Sequence, residues 1–369
     1  MRRGTALSQT PVTTVKCLVW DLDNTLWQGT LLEDAEVTVP DDIRRTIAEL
    51  DSRGILQSIA SRNDHDHAWE RLEQVGLADY FVLPQIGWGR KPDSLRAIAD
   101  ELQFALATIA FIDDQPTELA EVEHHLPEVR RYLAPRASEL TGLPEFSPAA
   151  VTVDSRRRRQ MYQAKFRRDT ARESYQGADD DFLRSLELVM TIDRARDEDI
   201  SRLEELTLRT SQMNATGVHY SDATLRELIG DPGHEVLVIG LTDRYGPHGA
   251  VGVLLLGRHE RVWQIKLLAT SCRVVSFGAG TVILNWITDQ AARAGVHLAA
   301  DFRATERNRM MEVAYRFGGF TSAACECLAS VSATSDAVEV QHLHRLPAAQ
   351  TPPTTLRLDA VELSAAVPA

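Results

Sequence analysis

Residues 16–25 read KCLVWDLDNT. Leu18, Val19 and Trp20 lead without a break into Asp21 and Asp23 and then into the turn formers Asn24 and Thr25. A short apolar run bounded by turn residues reads as a buried strand, so 16–20 is read as a strand that ends in an acidic cluster. The same pattern recurs downstream. Ile43, Ile47 and Leu50 fall at helical spacing within 41–53, and Gly54 stands where a helix is expected to end. Residues 55–60 (ILQSIA) and 108–112 (TIAFI) are further strand-like runs, while 65–75, followed by Gly76, and 94–103 read as helices. Strands alternating with helices predict a parallel α/β sheet with its site at the carboxyl ends of the strands. Each of the three strands runs into polar residues at that end.

The bulk numbers set bounds. A chain of 369 residues suggests two domains. A formal net charge of -13 argues against a nucleic-acid binder, which needs a broad basic face. No apolar run is long enough to span a bilayer, so no membrane partner is expected. The opening MRRGTALSQTPVTTV has two arginines but no apolar core behind them, so it is not a secretory signal. Residues 1–14 are read as a disordered leader, and a cytoplasmic location is expected. Cys17 lies in the first strand as a small buried hydrophobe. Cys325 and Cys327 form a lone C-x-C, too little for a zinc site, which needs two more ligands nearby.

Chemistry concentrates at the strand ends. Asp21 and Asp23, two residues apart, can face one Mg²⁺ and one phosphate. One carboxylate can attack phosphorus, and the other can serve as acid and base. The second strand ends in Ser61, whose hydroxyl can donate to a phosphoryl oxygen. Lys91, in Gly89-Arg90-Lys91-Pro92, can neutralise phosphoryl charge. The third strand ends in Asp113-Asp114, further acids for a metal. Singly each element is weak, since a D-x-D is usually a turn. The ordered set resembles the haloacid dehalogenase superfamily over roughly residues 15–135. That resemblance implies Asp21 as nucleophile, Asp23 as acid/base, and Thr25, Ser61 and Lys91 as phosphate contacts. It also implies Mg²⁺ as cofactor, with Asp21, Asp23, Asp113 and Asp114 as the metal group and Asp113 ahead of Asp114. About thirty-five residues separate Thr25 from Ser61 and about thirty separate Ser61 from Lys91, too few for a folded cap domain in either interval.

Residues 141–153 are rich in Pro, Thr and Ser and read as a linker; with the basic helix that follows, the connecting region runs over 141–181. Residues 156–172 hold eight basic residues and the single acid Asp169, either a solvated helix face or a docking strip for an acidic partner. From 182 to 345 a second domain is expected, and 346–369, rich in Pro, Ala and Thr, reads as a disordered tail. Arg273, Ser276, Gly278 and Gly280 lie in a turn between a strand and a helix, where small residues admit a pyrophosphate or phosphopantetheine to backbone N–H groups. That turn resembles the acyl-CoA-binding turn of GNAT-type acyltransferases, with Ser276 where a glycine is usual. Asn308 with AYRFGGF at 314–320 resembles the end of the same fold, and the resemblance implies Asn308 as a pantetheine contact beside Arg273, Ser276, Gly278 and Gly280.

Cys272, just before that turn, reads either as a buried core thiol or as the carrier of an acyl-thioester beside the pantetheine site. His248 is the candidate base for it, or a turn residue. Gln212 and Asn214 are candidate substrate contacts, or helix caps.

Taken together, the two halves resemble the FkbH-like family of glyceryl-transferase/phosphatases. The resemblance rests on VKCLVWDLDNTLWQGTLLED, IASRNDHD, FIDDQPTE, RTSQMNATGVHYS, LLATSCRVVSFGAG and RNRMMEVAYRFGGF, and it spans about 15–345. It implies an α/β chain: a Rossmannoid parallel sheet without a large cap, then an α+β GNAT-like domain. It also implies that 1,3-bisphosphoglycerate is the substrate, that its phosphate is removed, and that the glyceryl group is loaded onto an acyl carrier protein for polyketide extender units. A plain small-molecule phosphatase, an acetyl-CoA-dependent N-acyltransferase and a carrier-binding scaffold stay open as alternatives.

Overall fold

The computed structural model describes residues 13–34, 36–148, 151–210, 212–331 and 340–363. The expected leader lies almost wholly outside the described residues, as does the end of the expected tail. The chain divides into two compact units between Gln163 and Ala164.

In the first unit the chain runs β1 (Cys17–Trp20), α1 (Asp41–Ser52), β2 (Leu56–Ser61), α2 (His65–Gln74), β3 (Gln85–Ile86), α3 (Lys91–Leu102), β4 (Ile109–Asp113), α4 (Pro116–His125) and β5 (Arg130–Leu133). The strands form one sheet in the order β3-β2-β1-β4-β5, and every pairing is parallel. Parallel sheets are covered on both faces, so their strands are apolar throughout rather than alternating. All four residues of β1, all six of β2 and all five of β4 are buried. Helix α1 buries Ile43, Ile47 and Leu50. The buried amide of Gln57 is satisfied twice: Trp20 Nε1 donates to Gln57 Oε1 at 3.0 Å, and Gln57 Nε2 donates to the Ile47 carbonyl at 2.9 Å. Gly54, at φ +77°, leaves α1 in the left-handed region, and a Cβ there would stand 2.5 Å from the Ser155 carbonyl. Among the described residues, the interval from Thr25 to Ser61 holds only α1, β2 and their loops, and that from Ser61 to Lys91 only α2, a 3₁₀ turn and β3. Among the described residues neither interval contains a cap.

The segment expected as a linker begins as part of this unit. Phe146 is fully buried beside Leu140 and Tyr132, so the core extends through it. A short helix α5 (Val153–Arg156) precedes α6 (Arg158–Ser174), along which the chain passes from one unit to the next.

The second unit continues with α7 (Asp179–Ser185), β6 (Leu188–Arg194), α8 (Ile200–Arg209), α9 (Asp222–Gly230), β7 (His234–Asp243), β8 (Gly246–Arg258) and β9 (Val262–Thr270). It ends with α10 (Ala279–Ala294), β10 (His297–Phe302), α11 (Arg309–Phe317), β11 (Gln341–Arg345) and β12 (Leu356–Ala360). The sheet order is β11-β10-β9-β8-β7-β6-β12, parallel only at β9–β10 and β6–β12, which makes this an α+β unit with a mixed sheet.

Strand β8 shows how its faces are divided. Leu254 and Leu256 pack with residues of α10 and α11, while Val253 and Leu255 pack with residues of α8 and α9. In β9 the alternation slips. Trp263 and Ile265 join the first cluster, yet Leu267 and Ala269 join the second. The register explains this: Leu255 faces Leu267 and Leu256 faces Ile265, so Lys266 is an extra residue. A bulge of one residue exchanges the faces of everything beyond it.

Residues 346–369, expected as a disordered tail, supply β12. It pairs in parallel with β6 from Leu356↔Leu188 to Ala360↔Ile192. Beyond it, Val361 N donates to the Ile192 carbonyl and Leu363 N to Gln290 Oε1, each at 2.9 Å. Composition hid this strand because a lone edge strand needs few apolar residues. Leu356 and Leu363 are both buried, and losing them removes about 3 kcal/mol. Ending the chain at Pro353 is expected to lower the midpoint of the second unit's calorimetric transition by roughly 6 °C or more, leaving the first unit's transition in place.

Candidate active site

The sheet of the first unit brings its strand ends together. Asp21 follows β1 and its N–H donates to the Ile112 carbonyl at 3.0 Å, so the β1–β4 ladder carries on to the first acid of the cluster. Leu22 then turns the chain, its carbonyl accepting from the N–H groups of Thr25, Leu26 and Trp27. Asn24 takes φ 55°, and its Oδ1 accepts from the Gly29 N–H. Leu22 and Leu26 are fully buried and anchor this loop. Ser61 ends β2 and Asp113 ends β4. Lys91 opens α3, with Pro92 beside it in the first turn, where a missing N–H costs nothing.

Lys91 is 3% exposed. Its ammonium pairs with Asp21 Oδ1, lies 3.2 Å from Asp113 Oδ2 and donates to the Ala60 carbonyl at 2.7 Å. Carboxylate oxygens of Asp21, Asp113 and Asp114 lie within 4.8 Å of one another. Three carboxylates around one ammonium leave two negative charges in a largely buried space, which is expensive unless something positive joins them. Burial first, and then the Asp21 charge, push the Asp113 carboxyl up to about 6 and raise that of Asp114. Asp114 Oδ1 and Thr25 Oγ1 are buried and have no hydrogen-bond partner among the described residues. Hard oxygen donors, an excess of two negative charges and an orphaned carboxylate oxygen fit a divalent cation of the Mg²⁺ type.

Asp23 sits differently. Its Oδ1 accepts from Trp27 Nε1 at 2.7 Å and from the Leu31 N–H at 3.1 Å, and its Oδ2 accepts from Asn63 Nδ2 at 3.0 Å. Its carboxylate is therefore committed to protein donors and is not among the three that converge. Desolvation raises its carboxyl, shifting it toward the protonated form that a general acid needs. Asn63, 1% exposed, is the site residue that sequence reading missed. Two positions after Ser61 and just ahead of the α2 cap Asp64, it looks like an ordinary loop polar residue.

The second unit sorts its candidates into two groups. Cys272 is exposed, so the reading of a buried core thiol falls away. It follows β9 in a 3₁₀ turn, Cys272–Phe277, and lines a cavity of about 290 Å³ together with Gln212, Arg273, Thr210 and Ser271. Gly278 takes φ +70°, the left-handed value that lets the turn pass into α10, and it needs to be glycine for that reason. A Cβ on Gly280 would meet nothing within 4 Å, so packing does not demand glycine there. Ser276 is exposed.

The other candidates are structural. His248 does not line the Cys272 cavity; its Nε2 lies 3.1 Å from Asp243 Oδ2, and its ring meets Phe277 edge to face. Asp243 is also paired with the buried Arg168, and its carboxyl is held well below the usual range by His248 and Arg168 despite its burial. Asn214 is 1% exposed and closes its own turn, its Oδ1 accepting from Thr216 N at 3.0 Å and Gly217 N at 2.8 Å. Asn308 is fully buried and pins three carbonyls, those of Asn214, Ala215 and Arg303, at 3.0, 3.3 and 2.9 Å. Both asparagines were expected as ligand contacts; each is instead spent on the backbone. The basic strip is largely spent too: Arg159 forms a two-pronged pair with Asp51, Lys165 pairs with Asp169, and Arg168 is committed to Asp243.

Among known proteins, the family model described as haloacid dehalogenase-like hydrolase matches residues 29–121. That span holds Ser61, Lys91, Asp113 and Asp114 and leaves out Asp21 and Asp23. No curated protein matches the chain. Among solved structures, the N-terminal part of protein BF1531 from Bacteroides fragilis, containing a phosphatase domain complexed with Mg, is 27% identical over 32% of this chain and 36% of that one, with a TM-score of 0.31. This chain therefore spans about a third of the length of that protein's chain. The 3-deoxy-D-manno-octulosonate 8-phosphate phosphatase of Moraxella catarrhalis is 18% identical over 31% of this chain and 64% of that one, with a TM-score of 0.26. A chimera of spermidine N-acetyltransferase SpeG from Vibrio cholerae and hSSAT is 15% identical over 42% of this chain and 95% of that one, with a TM-score of 0.31. TM-scores this low mark distant likeness only.

Two outcomes are expected. Replacing Asn63 with Ala frees one oxygen of Asp23 and is expected to lower kcat for phosphate release roughly tenfold or more, within the range a general acid–base group supplies, with little change in KM. Mg²⁺ competes with the proton on Asp113, so the rise in Tm on adding Mg²⁺ should be larger above about pH 6 than below it. A shift in Tm that does not depend on pH would place the ion elsewhere.

Proposed function

We propose that this chain is a magnesium-dependent phosphoryl-transfer hydrolase of the haloacid dehalogenase type joined to an acyl-transfer unit, and that it acts as a glyceryl transferase/phosphatase. The observation that carries the first part is the buried lysine bridging Asp21 and Asp113 at adjoining strand ends, with Asp114 beside them. Held by Asp21, Asp113 and Asp114, Mg²⁺ would offset the charge of the phosphoryl oxygens.

Asp21 attacks phosphorus, and the bond from phosphorus to the leaving oxygen breaks as the aspartyl–phosphate bond forms. Asp23, oriented by Trp27 and Asn63, gives its proton to that oxygen. It later takes one from the water that hydrolyses the aspartyl-phosphate. Lys91, Ser61 and the unpartnered Thr25 hydroxyl supply positive charge and donors to the phosphoryl oxygens.

The second part rests on the exposed Cys272 at its cavity, together with the resemblance to FkbH-like proteins. The acyl phosphate of 1,3-bisphosphoglycerate is an activated donor. Attack by the Cys272 thiolate on C1 expels phosphate and leaves an enzyme thioester. The pantetheine thiol of an acyl carrier protein then takes the acyl group and returns the cysteine. Gln212, which lines the same cavity, would bind the hydroxyls of the three-carbon unit. A plain phosphatase is the second reading. It is favoured by the commitment of His248 to Asp243, which leaves no histidine among the described residues lining that cavity.

The test is the intact mass of a holo acyl carrier protein after incubation with enzyme, Mg²⁺ and freshly generated 1,3-bisphosphoglycerate. A glyceryl shift is expected with the native enzyme, a phosphoglyceryl shift with Asp21→Asn and none with Cys272→Ala. Phosphate release without any mass shift would leave the plain phosphatase.

A further inference from the structure

Far along the chain from both catalytic candidates, four side chains with soft or borderline donor atoms meet. They are His297 at the start of β10, His344 in β11, and Cys325 and Cys327 on the connection that follows α11. One donor atom from each lies within 4.8 Å of every other. His297 Nδ1 is 3.3 Å from Cys327 Sγ, 3.4 Å from Cys325 Sγ and 3.2 Å from His344 Nε2. A ring nitrogen carries at most one proton, so hydrogen bonding can satisfy only one of these three approaches.

A tetrahedral cation satisfies all of them. With Zn–S of about 2.3 Å and Zn–N of about 2.0–2.1 Å, a tetrahedron has edges of about 3.3 Å between two nitrogens and about 3.5 Å between nitrogen and sulfur. The observed separations fall within about 0.2 Å of those edges. We propose that His297, Cys325, Cys327 and His344 form a structural zinc site.

The reading of C-x-C as too little for zinc is overturned by strand pairing. Ala299 faces His344 across the β10–β11 ladder, which brings the edge strand's histidine alongside β10. The Thr321↔His344 bridge, with N–H to carbonyl distances of 2.9 and 2.7 Å, fixes the His344 backbone from the other side. Cys327 and His344 are buried, Cys325 and His297 half-buried, and all four positions are protein ligands. A site closed by four protein ligands has no open position for a substrate, which marks it as structural rather than catalytic. Binding displaces one proton from each thiol, and two thiolates neutralise the ion, so no net charge is buried. The ion would add a second tie, beside the Thr321↔His344 bridge, between the connection carrying the two cysteines and the edge strand β11.

The test uses the full chain purified without chelator. Metal analysis after gel filtration is expected to find about one zinc per chain, lost in Cys325→Ser/Cys327→Ser and kept in Cys272→Ser and Asp113→Asn. Replacement by one equivalent of Co²⁺ is expected to give the visible bands of a tetrahedral ion with thiolate charge transfer. Alkylation should spare Cys325 and Cys327 until the metal is stripped. Zinc in the native chain no higher than in the double variant would overturn the site, as would an intact mass lower by two hydrogens from a Cys325–Cys327 disulfide. If the double variant does not fold, the cobalt spectrum of the native chain decides alone, and its absence overturns the proposal.

Discussion

Everything in the first unit is arranged around a buried ammonium group. Lys91 must be desolvated to stand between Asp21 and Asp113, and the two carboxylates, the Ala60 carbonyl and the face of the Phe111 ring repay that cost. Removing one partner of such a pair leaves an uncompensated charge worth about 3–5 kcal/mol. Four separate pieces of chain are bound by this one requirement: the end of β1, the end of β2, the first turn of α3 and the end of β4. The parallel sheet supplies the alignment, because neighbouring parallel strands end on the same side. The acids still outnumber the lysine, and that surplus is what makes the site receptive to a cation. Burial first, and then the crowding of acids, raises the Asp113 carboxyl, and a metal relieves both.

Much of this was readable before any coordinates. The runs KCLVW, ILQSIA and TIAFI are apolar because parallel strands are covered on both faces, and the glycines after α1 and α2 mark the ends of those helices. The acid pair, the serine and the later acid pair are themselves a map of strand ends, with the lysine opening a helix between them. What escaped had a common cause. Asn63 carries no signal of its own, since its role is defined by Asp23 forty positions earlier in the chain. His297 and His344 are joined to the two cysteines only by strand pairing. Asn214 and Asn308 erred in the other direction: a buried asparagine with several backbone partners looks, in sequence, like an asparagine that binds a ligand.

The second unit also shows how little sequence separates two architectures. One additional residue at Lys266 turns the rest of β9 over, so that Leu267 and Ala269 face α8 and α9 while Trp263 and Ile265 face α10 and α11. Cys272 lies beyond that bulge. Its exposure, and its company with Gln212, follow from where the strand delivers the chain after the switch.

The pairing of β12 with β6 has a bearing on how the protein is made. The sheet of the first unit is built from residues that leave the ribosome early, between Cys17 and Leu133. The second cannot complete its sheet until Leu356 can reach Leu188. A growing chain therefore carries a finished first unit while β6 waits with one edge bare. That interval of translation is when the nascent protein most needs a chaperone, and it is when a stalled ribosome would leave an exposed strand and not a folded domain.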